Sequence, residues 1–358
     1  MPDSSPEISV VPYDPQWAAR FRQEAAELRA VFDEQAMAIH HIGSTSVPDL
    51  SAKPIIDILL EVRDIEAVDI YNQQMRDLGY DPLGEHGLPR RRYFRKIGEG
   101  QHISHVHTWQ TGDPELERHI SFRDYVFSHP QTRDAYSQLK TELAAQFAGD
   151  REGYMDGKYA FCQETERRAV AWSRAIRTQK IQTERLTLLP LNPAQLWHYL
   201  NRPLQLEAAQ HLRLSRNVLA DPVPRAIRTK LRNAAGAELQ QLLWNTYWLV
   251  IIREDSFGAG LIGFKGTPGP DGSAEIGYGI DADFRQQGYG TESVRALVNW
   301  ALAQPRCLAV TACTEKDNVA SMRVLEKLDF SLTRETDEEF YWIVTRTPGG
   351  FIPAFDGE

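Results

Sequence analysis

The spacing of hydrophobic residues predicts a mixture of helices and strands along the first half of the chain. Trp17, Phe21 and Leu28 recur at helical spacing and predict a helix over residues 15–32. Gly79 is expected to end a second amphipathic helix, residues 65–78, because helices commonly end at a left-handed glycine. Further strands are predicted at residues 8–12, 57–62, 92–96 and 103–109, and further helices at residues 116–147, broken near Pro130, and at residues 159–177.

In the second half, short strands dominate the pattern. A strand near residues 184–191 precedes helical segments at residues 193–200 and 225–235. Three runs then alternate like neighbouring antiparallel strands, residues 248–253, 259–267 and 274–281, with the turn GTPGPDG between the last two. The pattern ends with a helix at 290–303, a strand at 308–314, a helix at 318–328 and a strand at 339–345.

The chain is long for one core, and 358 residues with 42% hydrophobic positions favour two domains. We expect the join to be a rigid helix and a short linker near residues 178–183, and we predict domains at residues 1–177 and 183–348. The fold class is predicted as α/β (α+β): a mixed sheet with helices in the first domain, and a mostly antiparallel sheet flanked by helices in the second.

Charge and cysteine content narrow the function classes. A formal net charge of -9 leaves too few basic residues for an extended nucleic-acid surface. Cys162, Cys307 and Cys313 form no CxxC pair and fit a reducing cytoplasm. Neither a signal peptide nor an apolar run long enough to cross a bilayer is visible, so we expect a cytoplasmic protein without membrane contact. The oligomeric state is not constrained.

A glycine-rich turn lies where the strand AEIGYGID ends and the helix at 290–303 begins. Unpaired N–H groups at a helix N-terminus attract anions, and glycine lets a phosphate come close to them. With NVASMRVLEKLDF downstream, the region resembles the GNAT acetyltransferases, in particular the ribosomal-protein N-terminal acetyltransferases, over about residues 183–346. The resemblance implies acetyl-CoA as the cofactor, held by Gly279, Ile280, Ala282, Arg285, Gln286, Gln287, Gly288, Tyr289, Gly290, Thr291 and Asn318.

Amine acetylation needs a base for the acceptor and a proton donor or stabilising group for the departing thiolate. Glu275, on the strand before the turn, is the candidate base, although a solvated strand carboxylate explains it equally well. Leu325 stands where many GNAT enzymes have a tyrosine that acts as the general acid. The resemblance therefore points to Ser321 as the group that assists the thiolate, the alternative being a small residue that admits the coenzyme.

The acceptor implied by this resemblance is an amine of a small molecule or of a peptide. We expect its pocket to involve residues 197–244 and the last strand near Tyr341, although aromatic residues in that setting are more often core. Asp329 stands where the family usually has glycine, and it is expected to cap the helix before it in the left-handed conformation.

The stretch HIGSTSVPDLSAKPIIDILLEV, residues 41–62, does not fit a Walker P-loop, because no second glycine precedes its lysine. It matches a nucleotidyltransferase pattern better, in which a Gly-Ser turn contacts a nucleotide phosphate and two carboxylates on one strand face hold Mg²⁺. Gly43, Ser44, Lys53 and Asp57 are the candidate nucleotide-binding residues, but Leu59 occupies the second carboxylate position.

GSTSVP, AKPIIDI, the HVH strand and RHISFRDYVFSHP resemble the GrpB (UPF0157) family up to about residue 172. The resemblance implies a nucleotidyltransferase-like fold without a defined activity. His105 and His107 share a strand face and are candidates to join Asp57 around a metal, with hydrogen-bonded structural histidines as the alternative. The basic strand at 90–96 would either contact a triphosphate or be a solvated edge.

Three hypotheses follow. The first is an acetyl-CoA-dependent N-acetyltransferase whose first domain binds a nucleotide or the acceptor. The second is a bifunctional enzyme that also transfers nucleotidyl groups to a small molecule such as an antibiotic. The third makes the first domain a non-catalytic binding module.

Overall fold

The protein was analysed as a computed structural model, which describes residues 8–346. Packing divides the chain into two compact units, one reaching Arg174 and including Leu204–His211, the other comprising Ala175–Pro203 and the chain from Leu212 onward. The predicted domain boundaries at residues 177 and 183 remain predictions. Among the described residues, no helix combines the length and the apolar character needed to span a membrane.

The first unit is built around a five-stranded mixed sheet in the order β1-β2-β5-β4-β3. Its strands are β1 (Ala36–Ile42), β2 (Ile56–Val62), β3 (Tyr80–Pro82), β4 (Arg92–Gly98) and β5 (Gln101–Gln110). Its helices are α1 (Gln16–Phe32), α2 (Asn72–Asp77), α3 (Pro114–Ser128), α4 (Pro130–Gln146) and α5 (Arg151–Arg177). The pair β2–β5 is parallel and the other pairs are antiparallel.

The register of this sheet sets which side chains meet. Asp57 lies opposite His105 and Leu59 lies opposite His107 across the β2–β5 pair. Because side chains alternate along a strand, Asp57, His105 and His107 share one face. The opposite face of β2 packs Ile56, Ile58 and Leu60 into a core with Trp17, Phe21, Leu28 and Phe32 of α1.

Three expectations for this unit were wrong. Residues 8–12 form no strand, and Val11 makes only an isolated bridge to Ala52. Of the helix expected at 65–78, only Asn72–Asp77 is α-helical; the preceding Glu66–Tyr71 is a 3-10 segment, in which residues three apart eclipse, so that Glu66 and Asp69 both reach Arg92.

The last helix of the unit, α5, begins at Arg151, earlier than residue 159. Its extra turns contain Gly153 and Gly157, where an added Cβ would come 2.5 Å from Phe147 and 2.4 Å from Leu143 respectively. These glycines permit close packing against α4 and the loop that follows it, which the sequence pattern did not reveal.

The second unit contains a nine-stranded sheet, ordered β13-β14-β12-β11-β10-β9-β7-β6 with β8 beside β10. Its strands are β6 (Ile181–Gln182), β7 (Leu186–Pro190), β8 (Arg213–Leu214), β9 (Trp248–Ile252), β10 (Phe257–Phe264), β11 (Ser273–Ile280), β12 (Ala309–Glu315), β13 (Ser331–Glu335) and β14 (Glu339–Thr345). The helices of this unit are α6 (Pro193–Asn201), α8 (Val223–Ala234), α9 (Leu239–Trp244), α10 (Tyr289–Ala303) and α11 (Val319–Glu326). The intervening helix α7 (Pro203–Gln210) belongs from Leu204 onward to the first unit.

The predicted antiparallel run of β9, β10 and β11 is confirmed, as are the helix and strand that follow it. Asp329 follows α11 with a φ of 58°, the left-handed conformation expected of it. The pattern missed short elements, among them β1, β3, α7, α9 and β13. The apolar face of α10, with Val294, Leu297 and Val298, packs into the core of the sheet.

Candidate functional site

In the middle of the sheet of the second unit, two neighbouring strands separate from each other. The parallel strands β11 and β12 pair only from Ser273 to Glu275, although they continue to Ile280 and Glu315. Beyond Glu275, no ladder partner on the β12 side is recorded for β11 among the described residues. A Cβ added at Gly277 or Gly279 would meet no atom within 4 Å. The gap therefore has room for an extended ligand that pairs with the backbone as a strand would.

The glycine turn opens α10 at the end of the same strand. Gly288 is the N-cap residue with φ 83° and ψ -6°, a left-handed conformation that favours glycine. The first N–H groups of the helix, from Tyr289 to Thr291, lack helical partners and carry the positive end of the helix dipole. Arg285 folds back, its Nε donating to the carbonyl of Ile280 at 3.1 Å. The turn thus fits the pyrophosphate of coenzyme A.

A buried carboxylate fixes this turn against β7. Arg185 Nε donates to Glu292 Oε2 at 2.8 Å, and Arg185 Nη1 donates to the carbonyl of Gln287 at 2.8 Å. Thr183 Oγ1 also donates to Glu292, at 2.6 Å. Burial alone would raise the pKa of Glu292, but these hydrogen bonds hold it below its ordinary value. A Cβ at Gly288 would come 3.1 Å from Arg185 Nη2.

The N-terminus of α11 faces the other side of the gap. Asn318 caps this helix, its Oδ1 accepting from the N–H of Ser321 at 3.1 Å. The hydroxyl of Tyr278, on the parted end of β11, donates to the carbonyl of Ser321 at 3.2 Å. Burial raises the pKa of Tyr278 to about 12, so this hydroxyl stays protonated at neutral pH. The sequence pattern did not single out Tyr278; its position on β11 was the available signal.

Glu275 occupies the last paired position before the strands part. Its Oε1 lies 2.5 Å from Lys265 Nζ, and its side chain is 32% exposed. Because side chains alternate along a strand, Glu275 projects from the face of β11 opposite to Tyr278, the residue that contacts Ser321.

The aromatic residues considered for an acceptor pocket belong to the core. Trp244 and Trp248 are buried, and both rings pack against Trp300. Tyr341, by contrast, lies on β14, where its hydroxyl donates to Glu339 Oε2 at 2.6 Å. Tyr341 is therefore not part of the cluster that contains Trp244, Trp248 and Trp300.

The Gly-Ser turn of the first unit lies directly beside Asp57. Gly43 has φ 67°, and a Cβ there would fall 2.4 Å from Asp57 Oδ2. Ser44 Oγ accepts from Lys140 Nζ at 2.9 Å. The fold therefore brings the candidate residues Gly43, Ser44 and Asp57 together and adds a buried lysine from α4 that the sequence pattern did not indicate.

Lysines from three elements surround this corner. Lys53 Nζ lies 4.6 Å from the centre of the Tyr154 ring, and Lys158 Nζ lies 5.4 Å from it. Burial, followed by the charge of Lys158, lowers the pKa of Lys53 to about 8. Burial lowers the pKa of Lys140 to about 7. Positive groups that are crowded and partly desolvated in this way suit an anionic ligand.

The histidines of β5 converge on Asp57. His105 Nδ1 lies 3.2 Å and His107 Nε2 lies 4.0 Å from Asp57 Oδ1. One atom of each residue can be chosen so that all lie within 4.8 Å of one another, as around a single ion. Burial alone would raise the pKa of Asp57, but the hydrogen bond and charge of His105 keep it below its ordinary value. Burial lowers the pKa of His107 to about 4, which leaves a neutral imidazole at pH 7.

The expected Mg²⁺ does not fit these donors. Mg²⁺ prefers oxygen ligands in octahedral geometry. Leu59, at the second carboxylate position, is fully buried against Ile42, Trp109 and Leu116. Asp57 is left with imidazole nitrogens as its neighbours, a donor set that does not match Mg²⁺.

The basic strand β4 does not supply free cations on the predicted face. Arg92 Nε bonds Asp69, Lys96 Nζ bonds Glu24, and Phe94 is buried in the core. The other face of the strand carries Tyr93, whose ring lies 5.2 Å from that of His107. The charges of this face are therefore paired within the fold, and the strand is not the solvated edge that was the alternative, because β3 pairs with it from Phe94 to Lys96.

Comparison with known proteins agrees with both halves of this description. A family model described as GrpB protein matches residues 7–168, and one described as Acetyltransferase (GNAT) domain matches residues 185–331. A GNAT-family acetyltransferase structure from Bacillus anthracis is 16% identical, with 47% of this chain and 98% of that chain covered and a TM-score of 0.34.

Curated relatives match the first half. UPF0157 protein YqkA of Bacillus subtilis (strain 168) is 44% identical over 167 residues, covering 47% of this chain and 48% of the relative, so the chain spans about half of that protein. UPF0157 protein BH1888 of Halalkalibacterium halodurans is 36% identical over 165 residues, covering 46% of this chain and 83% of the relative. The chain therefore belongs to the GrpB (UPF0157) family through its first half and carries a GNAT acetyltransferase domain in its second.

Proposed function

We propose that the protein transfers the acetyl group of acetyl-CoA to an amine of a small molecule or of a protein N-terminus. The observation that carries this proposal is the combination of a gap between β11 and β12 with a glycine turn at the start of α10. The gap offers an extended backbone edge, and the turn offers unpaired N–H groups at the end of that edge. An extended thiol cofactor with a pyrophosphate matches both.

Acetyl-CoA supplies an activated acyl group to this site. The backbone of Gly279, Ile280 and Ala282 would bind its pantetheine arm. The turn from Arg285 to Thr291 would bind its pyrophosphate, with Arg185 and Glu292 keeping the turn in place. Asn318 would contact the pantetheine near α11.

Glu275 and Ser321 divide the proton chemistry in this proposal. The acceptor amine must lose a proton before its nitrogen can attack the acetyl carbonyl, and Glu275 would accept that proton directly or through a water. As the carbon–sulfur bond breaks, the hydroxyl of Ser321 would donate a hydrogen bond to the departing thiolate. Tyr278, bonded to the Ser321 carbonyl, orients the start of α11 for this role.

A thiol-release assay tests the proposal. The full chain is incubated with acetyl-CoA and a panel of amines that includes N-terminal peptides and aminated small molecules, and free coenzyme A is titrated. Activity with at least one amine, and a loss of about 100-fold in kcat for Glu275→Gln with unchanged coenzyme affinity, are expected. Absence of both thiol release and coenzyme binding by calorimetry refutes it.

For the first domain we propose a phosphate-binding role, with a nucleotide as the candidate ligand. The supporting observation is that Lys140, which is 3% exposed, donates to Ser44 in the Gly-Ser turn, while Lys53 and Lys158 lie nearby. Lys140 Nζ also donates to the carbonyl of Ser51, but these two acceptors are neutral and do not balance a buried charge, whereas an anion would. This role is compatible with a binding module or with nucleotidyl transfer.

Calorimetry with ATP separates this role from a purely structural one. Lys140→Met and Asp57→Ala are both expected to change the affinity for ATP, because each removes a charge beside the Gly-Ser turn. For Lys140→Met, which removes a positive charge, the expected loss is about ten-fold. Arg167→Met, which removes an exposed cation of α5 paired with Glu164, serves as the control. Equal ATP binding by all three variants and the unmodified protein dismisses the proposal.

A further inference from the structure

The donor atoms around Asp57 are those of a transition-metal site. Two imidazole nitrogens face one carboxylate oxygen, Asp57 Oδ1, at 3.2 Å from His105 and 4.0 Å from His107. Ligands about 2.1 Å from a tetrahedral ion are about 3.4 Å from each other, close to these separations. Imidazole with carboxylate is a set preferred by zinc, iron and related ions and not by Mg²⁺.

A second histidine fixes the ring that would coordinate. His102 Nδ1 lies 2.8 Å from His105 Nε2, so one of these nitrogens donates to the other. In the free protein His105 Nδ1 donates to Asp57 Oδ1; a metal ion bound between these two atoms would replace that proton, and His105 would keep its remaining hydrogen on Nε2, donated to His102 Nδ1. Metal-bound histidines commonly have their second nitrogen held in this way.

Nearby positive charges oppose a bare cation at this position. Lys53 and Lys158 lie together over the Tyr154 ring, with their Nζ atoms 4.6 Å and 5.4 Å from its centre, and Lys53 belongs to the segment that joins the Gly-Ser turn to β2. One carboxylate cannot balance a divalent ion and two ammonium groups. A phosphate group placed between the ion and the lysines would balance them, and Ser44 and Lys140 lie beside the same turn.

We propose that Asp57, His105 and His107 bind a divalent transition-metal ion together with a phosphate group that Lys53 and Lys158 hold against it. The proposal deepens the phosphate-binding role of the first domain, on which it rests. Because metal binding is measured without nucleotide, the metal site and the phosphate-binding role can each be refuted without the other. Because coupling between two ligands is reciprocal, metal and phosphate must each raise the affinity for the other.

Cobalt is the probe, since Co²⁺ reports its coordination by visible absorption. A chelator first removes any bound metal from the full chain. The protein is then titrated with Co²⁺ in the presence and in the absence of inorganic phosphate, which by itself binds metal ions only weakly. We expect about one Co²⁺ per chain, displacement by Zn²⁺ but not by millimolar Mg²⁺, and about ten-fold tighter binding with phosphate. Absence of saturable binding, displacement by Mg²⁺, or no effect of phosphate overturns the proposal.

Variants separate ligation from folding. Asp57→Asn and His107→Gln should each weaken Co²⁺ binding at least ten-fold, whereas His129→Gln, whose imidazole bonds the Tyr125 carbonyl between α3 and α4, should not. Lys158→Met should tighten binding of Co²⁺ alone and abolish the phosphate effect, a result that a structural role would not produce. Circular dichroism identifies any variant that does not fold. A folded Asp57→Asn and a folded His107→Gln that both bind Co²⁺ like the unmodified protein refute the assignment.

Discussion

Gly288 allows the contribution of the glycine turn to be measured directly. Its φ of 83° costs an alanine about 1–2 kcal/mol, and the added Cβ would also press on Arg185 Nη2 at 3.1 Å. If the turn keeps its conformation in Gly288→Ala, this cost appears in the free energy of unfolding. If the turn relaxes, coenzyme binding must restore it and the cost appears in the dissociation constant.

The two losses should therefore sum to about 1–2 kcal/mol, so that a fully relaxed turn weakens coenzyme A binding about 5- to 30-fold. Urea unfolding of the free protein and calorimetry with coenzyme A measure the two parts. Gly236→Ala is the matched control, because Gly236 also has a left-handed φ, of 66°, no atom lies within 4 Å of the added Cβ, and the residue lies outside the turn. An unchanged Gly288→Ala, or an equal loss of coenzyme A affinity in Gly236→Ala, refutes the assignment of the turn.

Three further variants test other parts of the second domain. Burial lowers the pKa of Lys230 to about 7, so between pH 7 and about 10.5 the unfolded chain binds more protons at this group than the folded chain does. The free energy of unfolding should therefore rise by about 2 kcal/mol between pH 7 and 9 because of this group. Lys230→Met should remove that rise, as measured by urea unfolding. Glu292→Gln should destabilise the domain by about 1–2 kcal/mol and weaken coenzyme A binding, because Arg185 loses its buried partner; the loss is limited because Arg185 is itself 42% exposed. If neither stability nor coenzyme affinity changes, the Arg185–Glu292 pair does not hold the turn in place. Ser321→Ala should lower kcat about 10- to 100-fold while coenzyme affinity stays constant, and an unchanged kcat removes Ser321 from the proposed chemistry.

Local patterns predicted the parts of the site that are continuous in sequence. The turn from Arg285 to Gly290 and the helix after it are encoded within a short stretch, so the glycine pattern and the resemblance of its flanking segments located them together. The face shared by Asp57, His105 and His107 followed from strand alternation, once the β2–β5 register placed the residues together. Whether these residues bind the proposed ligands stays a prediction.

The other parts of the candidate sites depend on contacts between residues that are far apart in the sequence. Arg185 reaches Glu292 from 107 positions away, and Lys140 reaches Ser44 from 96 positions away, so no window of sequence contains either pair. The parting of β11 from β12 is equally invisible, since both strands have ordinary alternation to their ends. Gly153 and Gly157 pack against Phe147 and Leu143 inside the early turns of α5, contacts that the local sequence does not show.

The short β11–β12 ladder also has a mechanical consequence. Three residue pairs, from Ser273↔Ala309 to Glu275↔Thr311, join the panel β12-β14-β13 to the rest of the sheet. We expect that panel to open as a separate cooperative unit in the free protein, with fast amide hydrogen exchange along the parted end of β11. A ligand paired with that edge would protect its amides and make the sheet continuous, so the coenzyme would serve the domain as a removable strand as well as a reactant.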